Sequence, residues 1–162
     1  MPMEKIIALT INGQREEGAF PPHRTLLEAL RGLGHVDVKS GCEKGDCGAC
    51  AVLVDGVAID SCLTLAWTVE GQEITTVSGL GDLAEPHPLQ AAFADSGGVQ
   101  CGYCTPGMII AAKALIDRNP EPSEDDIRLD LSGNLCRCTG YTKIFEAVRT
   151  AATTMRAHGG KA

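Results

Sequence analysis

The placement of cysteine constrains this chain more than any other feature. Its eight cysteines fall into two groups of four: Cys42, Cys47, Cys50 and Cys62, then Cys101, Cys104, Cys136 and Cys138. A chain of 162 residues makes one ordinary domain or two small ones. Two domains of roughly 80 residues are marginal on hydrophobic burial alone and gain from a covalent or metal staple. Aromatic residues make up only 4% of the chain, so any core must come mainly from Ala, Val, Ile and Leu. Two four-cysteine sites, one per small domain, resolve that shortage.

Whether those thiols meet metal or each other depends on compartment. No apolar run approaches the ~18 residues of a membrane span. The opening stretch Ile6-Ile7-Ala8-Leu9 gives way to Thr10 and is too short for a signal-peptide core. The expectation is a cytoplasmic protein whose cysteines stay reduced, which favours metal over disulfides. A net charge of −7 disfavours nucleic acid and anionic membranes as partners.

The first group reads Cys42-Glu43-Lys44-Gly45-Asp46-Cys47-Gly48-Ala49-Cys50 and then Cys62, a C-x4-C-x2-C spacing with a later fourth cysteine. That is the plant-type pattern for a [2Fe–2S] cluster. Gly41, Gly45 and Gly48 let the loop curl closely round inorganic sulfide and turn N–H groups inward. Zinc sites usually use paired C-x2-4-C knuckles, which this run fits badly. A Rieske centre needs two histidine ligands, and the histidines at 23, 35, 87 and 158 lie outside both cysteine motifs.

The second group is split between Gln100-Cys101-Gly102-Tyr103-Cys104 and Asn134-Leu135-Cys136-Arg137-Cys138. Each half precedes an expected helix, which would set thiolates at helix N-termini where free N–H groups favour negative charge. A C-x2-C pair also suits zinc; the C-x-C half weakens that reading and is poorly spaced for a disulfide. Spacing alone makes this a metal site without choosing the metal.

Local patterns change between the two groups. Ile6 to Ile11 reads as a strand ending in the hairpin pair Asn12-Gly13, and Ala51–Val54, Asp55-Gly56 and Val57–Ile59 read as a second hairpin. Thr25 caps a short helix that stops near Gly32 or Gly34, and Glu73–Val77 makes a last strand. From Gly79 to Pro88 the chain is rich in Gly and Pro and reads as a linker. Beyond it, helices are expected from Pro88 to Ala94 and from a Thr105 cap to Arg118. Ser123 then caps a short acidic helix, and a last helix has Ile144, Phe145, Val148, Ala152 and Met155 on one face. The tail from Ala157 to Ala162 is expected to fray. The fold class is α+β, with a boundary between domains 1–79 and 80–162.

The segments GCEKGDCGAC, QCGYCTPGM and GNLCRCTGY, in that order, resemble the small iron–sulfur subunit of the molybdenum hydroxylases, the xanthine dehydrogenase family. Kin in that family include the small subunits of aerobic carbon monoxide dehydrogenase, isoquinoline oxidoreductase and 4-hydroxybenzoyl-CoA reductase. The likeness runs from about Ile6 to Ala152. It implies a β-grasp ferredoxin domain followed by a four-helix-bundle [2Fe–2S] domain. It assigns Cys42, Cys47, Cys50 and Cys62 to a cluster nearer FAD, and Cys101, Cys104, Cys136 and Cys138 to one nearer molybdopterin. It sets Gln100 and Cys138 against that pterin. The implied partners are a large molybdopterin subunit with a medium FAD subunit, or one fused chain, in a heterotrimer or its dimer. One departure from the family pattern is the approach to the first set: Leu30 to Lys39 is a residue shorter than usual and carries Asp37 where the pattern has glycine.

No residue in the sequence has an evident role in substrate chemistry. Gly79-Leu80-Gly81-Asp82-Leu83-Ala84 matches G-x-G-x-x-A, but Pro86 and Pro88 forbid the helix such a nucleotide site needs. Tyr103 and Tyr141 are expected to pack over the second cluster, and the histidines to lie at the surface. The expected function is electron relay between subunits. A free-standing ferredoxin and a zinc-binding interaction module are the other readings, the latter separable by its lack of colour.

Overall fold

The computed structural model describes residues 4–159; the expectations for the first and last three positions fall outside them. The first half forms a five-stranded mixed sheet. Strands β1 (Lys5–Ile11) and β2 (Gln14–Phe20) form one antiparallel hairpin, and β3 (Ala51–Val54) and β4 (Val57–Asp60) form another. Strand β5 (Glu73–Thr75) lies between them, parallel to β1 and antiparallel to β3, so the order is β2-β1-β5-β3-β4. Both hairpin turns follow from sequence: Asn12-Gly13 and Asp55-Gly56 all adopt positive φ, the geometry a tight two-residue turn between twisted strands needs. The strand expected to reach Val77 stops at Thr75, because Val77–Gly79 turns into a short 3-10 segment.

One helix, α1 (Leu26–Gly32), crosses the sheet. Thr25 caps it as expected, and Glu28 returns a bond to the Thr25 N–H, completing a capping box. Ile7, Leu9, Ile11, Leu26, Leu30, Val52, Val54 and Ile74 make the buried interior between sheet and helix.

The second half packs α2 (Pro88–Asp95), α3 (Thr105–Arg118), α4 (Glu124–Asp130) and α5 (Thr142–Ala157) into a small bundle. Leu89, Phe93, Met108, Leu115, Ile127, Ile144 and Val148 form its core. Cys104, not Thr105, occupies the cap position of α3, which puts Thr105 and Pro106 in the first turn. The histidines do not all lie at the surface: His87 is 6% exposed and caps α2 through its ring nitrogen Nδ1, which accepts from the Leu89 N–H.

The two halves are joined firmly. Every residue of β3 is buried: Val52 and Val54 face the first core, while Ala51 and Leu53 pack on Ile110 of α3 with Val77 and Leu80 beside them. The segment read as a linker is pinned where it begins. The Gln90 amide donates to the carbonyls of Val77 and Gly81, and Asp37 accepts from both the N–H and the hydroxyl of Ser78. Asp37, at the position where the resemblance implies glycine, makes this contact.

Candidate metal centres

The first set sits on the loop between α1 and β3 and, for Cys62, just past β4. Positive φ at Glu43, Gly45 and Gly48 curls the loop, and its tightness leaves no room for a side chain at its glycines. A Cβ on Gly41 would lie 2.8 Å from the Cys47 sulfur, and one on Gly45 would lie 2.5 Å from Leu63. N–H groups turn inward toward sulfur: the Asp46 N–H reaches Cys42 Sγ at 3.2 Å. The Lys44 N–H, with that of Asp46, brings the Cys42 thiol down to about 7. Burial, and then the neighbouring Cys50, push Cys62 up to about 12. Cys50 and Cys62 are buried while Cys42 and Cys47 are half-exposed.

The second set gathers at the end of the bundle where α3 begins. Cys101 and Cys138 are exposed; Cys104 and Cys136 are half-buried. Burial pushes Cys104 up to about 12, with Cys136 adding to the effect. Burial also acts upward on Cys136, but bonds from the Thr139 hydroxyl and N–H and the Cys138 N–H outweigh it and bring the thiol to about 7. Cys101 faces Cys138 and pushes that thiol up. Only Cys104 sits at the immediate start of a helix. Cys136 and Cys138 stop short of α5, whose cap is Tyr141 in a left-handed conformation, so the expected N-terminal placement holds for one half of the set.

In both sets each thiol acts most strongly on one neighbour, Cys42 with Cys47, Cys50 with Cys62, Cys104 with Cys136, and Cys101 with Cys138, while Cys101 also acts on Cys104 and Cys136 on Cys138 through charge. Among the described residues no three His, Cys, Asp or Glu side chains converge as the shell of one ion would require. A mononuclear zinc site needs four ligands about one point. A rhomb with two irons needs two pairs, one at each end. The donor set, all sulfur and arranged in pairs, therefore fits a dinuclear cluster. It also supplies what such a cluster needs around its sulfurs, namely N–H donors and closely approaching glycines.

The tyrosines do more than pack. The Tyr141 hydroxyl accepts from the Cys136 N–H at 2.8 Å and donates to the Asn134 carbonyl at 3.3 Å, which fixes the loop leading into Cys136. The Tyr103 hydroxyl donates to the Ser40 carbonyl at 2.5 Å and so ties the second motif to the approach of the first. Further links join the two loops directly: the Leu135 N–H donates to the Cys47 carbonyl at 3.0 Å, and the buried Asn134 amide donates to the Gly48 carbonyl at 3.0 Å. Sequence reasoning missed these links, although Asn134 and Leu135 stand inside the GNLCRCTGY motif.

Comparison with known proteins agrees with this chemistry. A family described as "2Fe-2S iron-sulfur cluster binding domain" matches residues 9–84, and one described as "[2Fe-2S] binding domain" matches residues 76–149. The nicotinate dehydrogenase small FeS subunit of Eubacterium barkeri is 47% identical over 151 residues, covering 92% of this chain and 96% of that one. The chain belongs to the small iron–sulfur subunits of the molybdenum hydroxylase family.

Solved relatives of this small subunit share its fold. Quinoline 2-oxidoreductase from Pseudomonas putida 86 superposes with a TM-score of 0.92 at 41% identity, covering 98% of this chain and 99% of that chain. Aldehyde oxidoreductase from Desulfovibrio gigas gives 0.90 at 40% identity and covers 95% of this chain, which spans only 17% of that longer one. The family thus contains this unit both within a larger polypeptide and as a separate subunit. The α+β architecture, with a ferredoxin-type sheet and a helical unit, is that of these relatives. No helix among the described residues is long and apolar enough to cross a membrane.

Proposed function

We propose that the small subunit relays electrons between molybdopterin on a large partner and FAD on a medium one, through a cluster in each half. The observation that carries this reading is the pairwise meeting of the thiols within each four-cysteine set. Cys42 and Cys47 would hold one iron of the first cluster, and Cys50 and Cys62 the other. Cys101 with Cys138 and Cys104 with Cys136 would divide the second in the same way. Each cluster, when bound, accepts and releases single electrons. The chain's own residues set the conditions: the Lys44, Asp46 and Thr139 N–H groups offset negative charge at sulfur, while burial of Cys50 and Cys62 excludes water.

The division into domains 1–79 and 80–162 rests on the two hydrophobic interiors lying on either side of the Val77–Gly79 turn. Gln100 is exposed, as are Cys101 and Cys138, with Val99, Tyr103 and Leu135 exposed around them. An exposed cluster edge ringed by apolar side chains is what a partner carrying the pterin would cover. Gln100 and Cys138 are assigned to that contact. Leu63, Leu65 and Trp67, exposed next to Cys62, are assigned to the flavin side. A heterotrimer or its dimer, working in the cytoplasm where eight free thiols stay reduced, is the assembly this reading requires.

The test is EPR of ligand variants in the assembled complex. Cys47→Ser should disturb the first cluster's signal and leave the second's intact, and Cys104→Ser should do the reverse. Loss of both signals from either folded variant would refute the assignment of ligands to two separate sites.

A further inference from the structure

Gly107 stands in the QCGYCTPGM segment, and its place there suggests service to the second cysteine set. Its surroundings say otherwise. It is the third residue of α3 and is buried. Its φ lies outside the left-handed region, so the backbone here does not call for glycine. Alanine is the better helix former at such a position. The close approach of another chain segment is what remains, and it is visible: a Cβ on Gly107 would lie 2.1 Å from the Gly48 carbonyl oxygen, 3.1 Å from its carbonyl carbon and 3.2 Å from the Ala49 Cα. All three atoms are backbone of the loop between Cys47 and Cys50. None belongs to the second set.

The same loop is also gripped by the turn before Cys136. A Cβ on Gly48 would lie 2.4 Å from the Asn134 Nδ2 and 2.7 Å from the Gly133 carbonyl oxygen. Gly48 is therefore held between α3, which follows Cys104, and the turn that leads to Cys136. The Asn134 amide bonds to the Gly48 carbonyl and the Leu135 N–H to the Cys47 carbonyl. The Gly48 carbonyl oxygen that accepts from Asn134 is the atom a Cβ on Gly107 would strike.

We propose that Gly107 is a positioning residue for electron transfer: its missing Cβ sets how closely the helix behind the second cluster rests on the loop of the first, and hence how strongly the two clusters couple. The proposal rests on the proposed assignment of the eight cysteines to two clusters. Backbone cannot retract as a flexible side chain can, so a methyl group at residue 107 must displace α3 from the loop, stretch the Leu135–Cys47 bond, or both. Gly133 supplies the control: a Cβ there meets nothing within 4 Å, although it adjoins the same contact.

The experiment compares Gly107→Ala with Gly133→Ala in the complex as it assembles. Three quantities are read: iron and labile sulfide, the magnetic splitting of the EPR signals with both clusters reduced, and hydrogen exchange at the Leu135 amide. Gly107→Ala should keep its iron and sulfide, lose part of the splitting and exchange the Leu135 amide faster, with Gly133→Ala unchanged in all three. A loaded Gly107→Ala protein with unaltered splitting and exchange would overturn the proposal. Should that variant fail to load, Asn134→Ala loosens the same contact without adding bulk; reduced splitting supports the proposal and unchanged splitting overturns it. Absence of iron–sulfur clusters from the unmodified chain would instead refute the ligand assignment, a separate outcome.

Discussion

The main-chain N–H of Leu135 donates to the main-chain carbonyl of Cys47 across 3.0 Å, joining the residue before one cysteine to another cysteine of the opposite set. It gives the two halves a shared backbone hydrogen bond between their cysteine-bearing loops. Beside it, the Asn134 amide reaches the Gly48 carbonyl from 86 positions away in the chain. The two units are thus fixed at the place where electrons would cross.

Asn134 is 6% exposed, and replacing it removes one of two hydrogen bonds to the buried Gly48 carbonyl, leaving that from the Ala51 N–H. Asn134→Ala should lower stability by about 1 kcal/mol. Denaturant unfolding of the loaded protein checks this; a loss well under ~0.5 kcal/mol would show that water replaces the amide without cost.

Asp37 should stabilise the connector. Its carboxyl is pulled upward by burial, but bonds from Ser78 and Thr76 outweigh that and hold it below the usual carboxylate value. The stabilisation is therefore present above the unfolded pKa and lost as pH falls through the folded one. Asp37→Asn should cost about 1 kcal/mol near neutrality, reduced by the group's partial exposure, and the difference from the unmodified chain should vanish in acid. Urea unfolding at pH 7 and at pH 3 measures both.

His87 should make the stability of α2 depend on pH. Burial, with the nearby Lys113 charge, lowers its pKa below the usual imidazole value, while Asp117 acts in the other direction. The neutral ring accepts from the Leu89 N–H, and protonation would replace that acceptor with a donor. The sign follows: the cap is intact above the ordinary range near 6.5 and lost as pH falls through the depressed folded value. His87→Asn supplies a cap that does not titrate. Melting temperatures compared between pH 7.5 and pH 5 should fall further for the unmodified protein than for this variant. Equal falls would show that His87 stays neutral throughout.

Local chemistry was legible before the structure. Asn12-Gly13 and Asp55-Gly56 specify their turns, Thr25 specifies a cap, and the apolar spacing of Ile144, Val148, Ala152 and Met155 specifies a buried face. Each is a signal within a few residues. The contacts that join the halves have no such signal. Gly48, Gly107 and Asn134 read as loop, helix and motif residues until folding brings them together. The Gly and Pro content from Gly79 to Pro88 reads as a linker, but composition does not report the Gln90 amide reaching back to the Gly81 carbonyl, or Asp37 holding Ser78 just before it. The one available clue was Ala51–Val54: a strand apolar at every position expects cover on both faces, and α3 supplies the second.

The most direct test of the account is metal and sulfide analysis of the protein as isolated, which should be reddish-brown. Two complete cysteine sets, each holding two irons and two bridging sulfides, predict about four irons and four acid-labile sulfides per chain. Stoichiometric zinc with no labile sulfide, in a colourless protein, would contradict it.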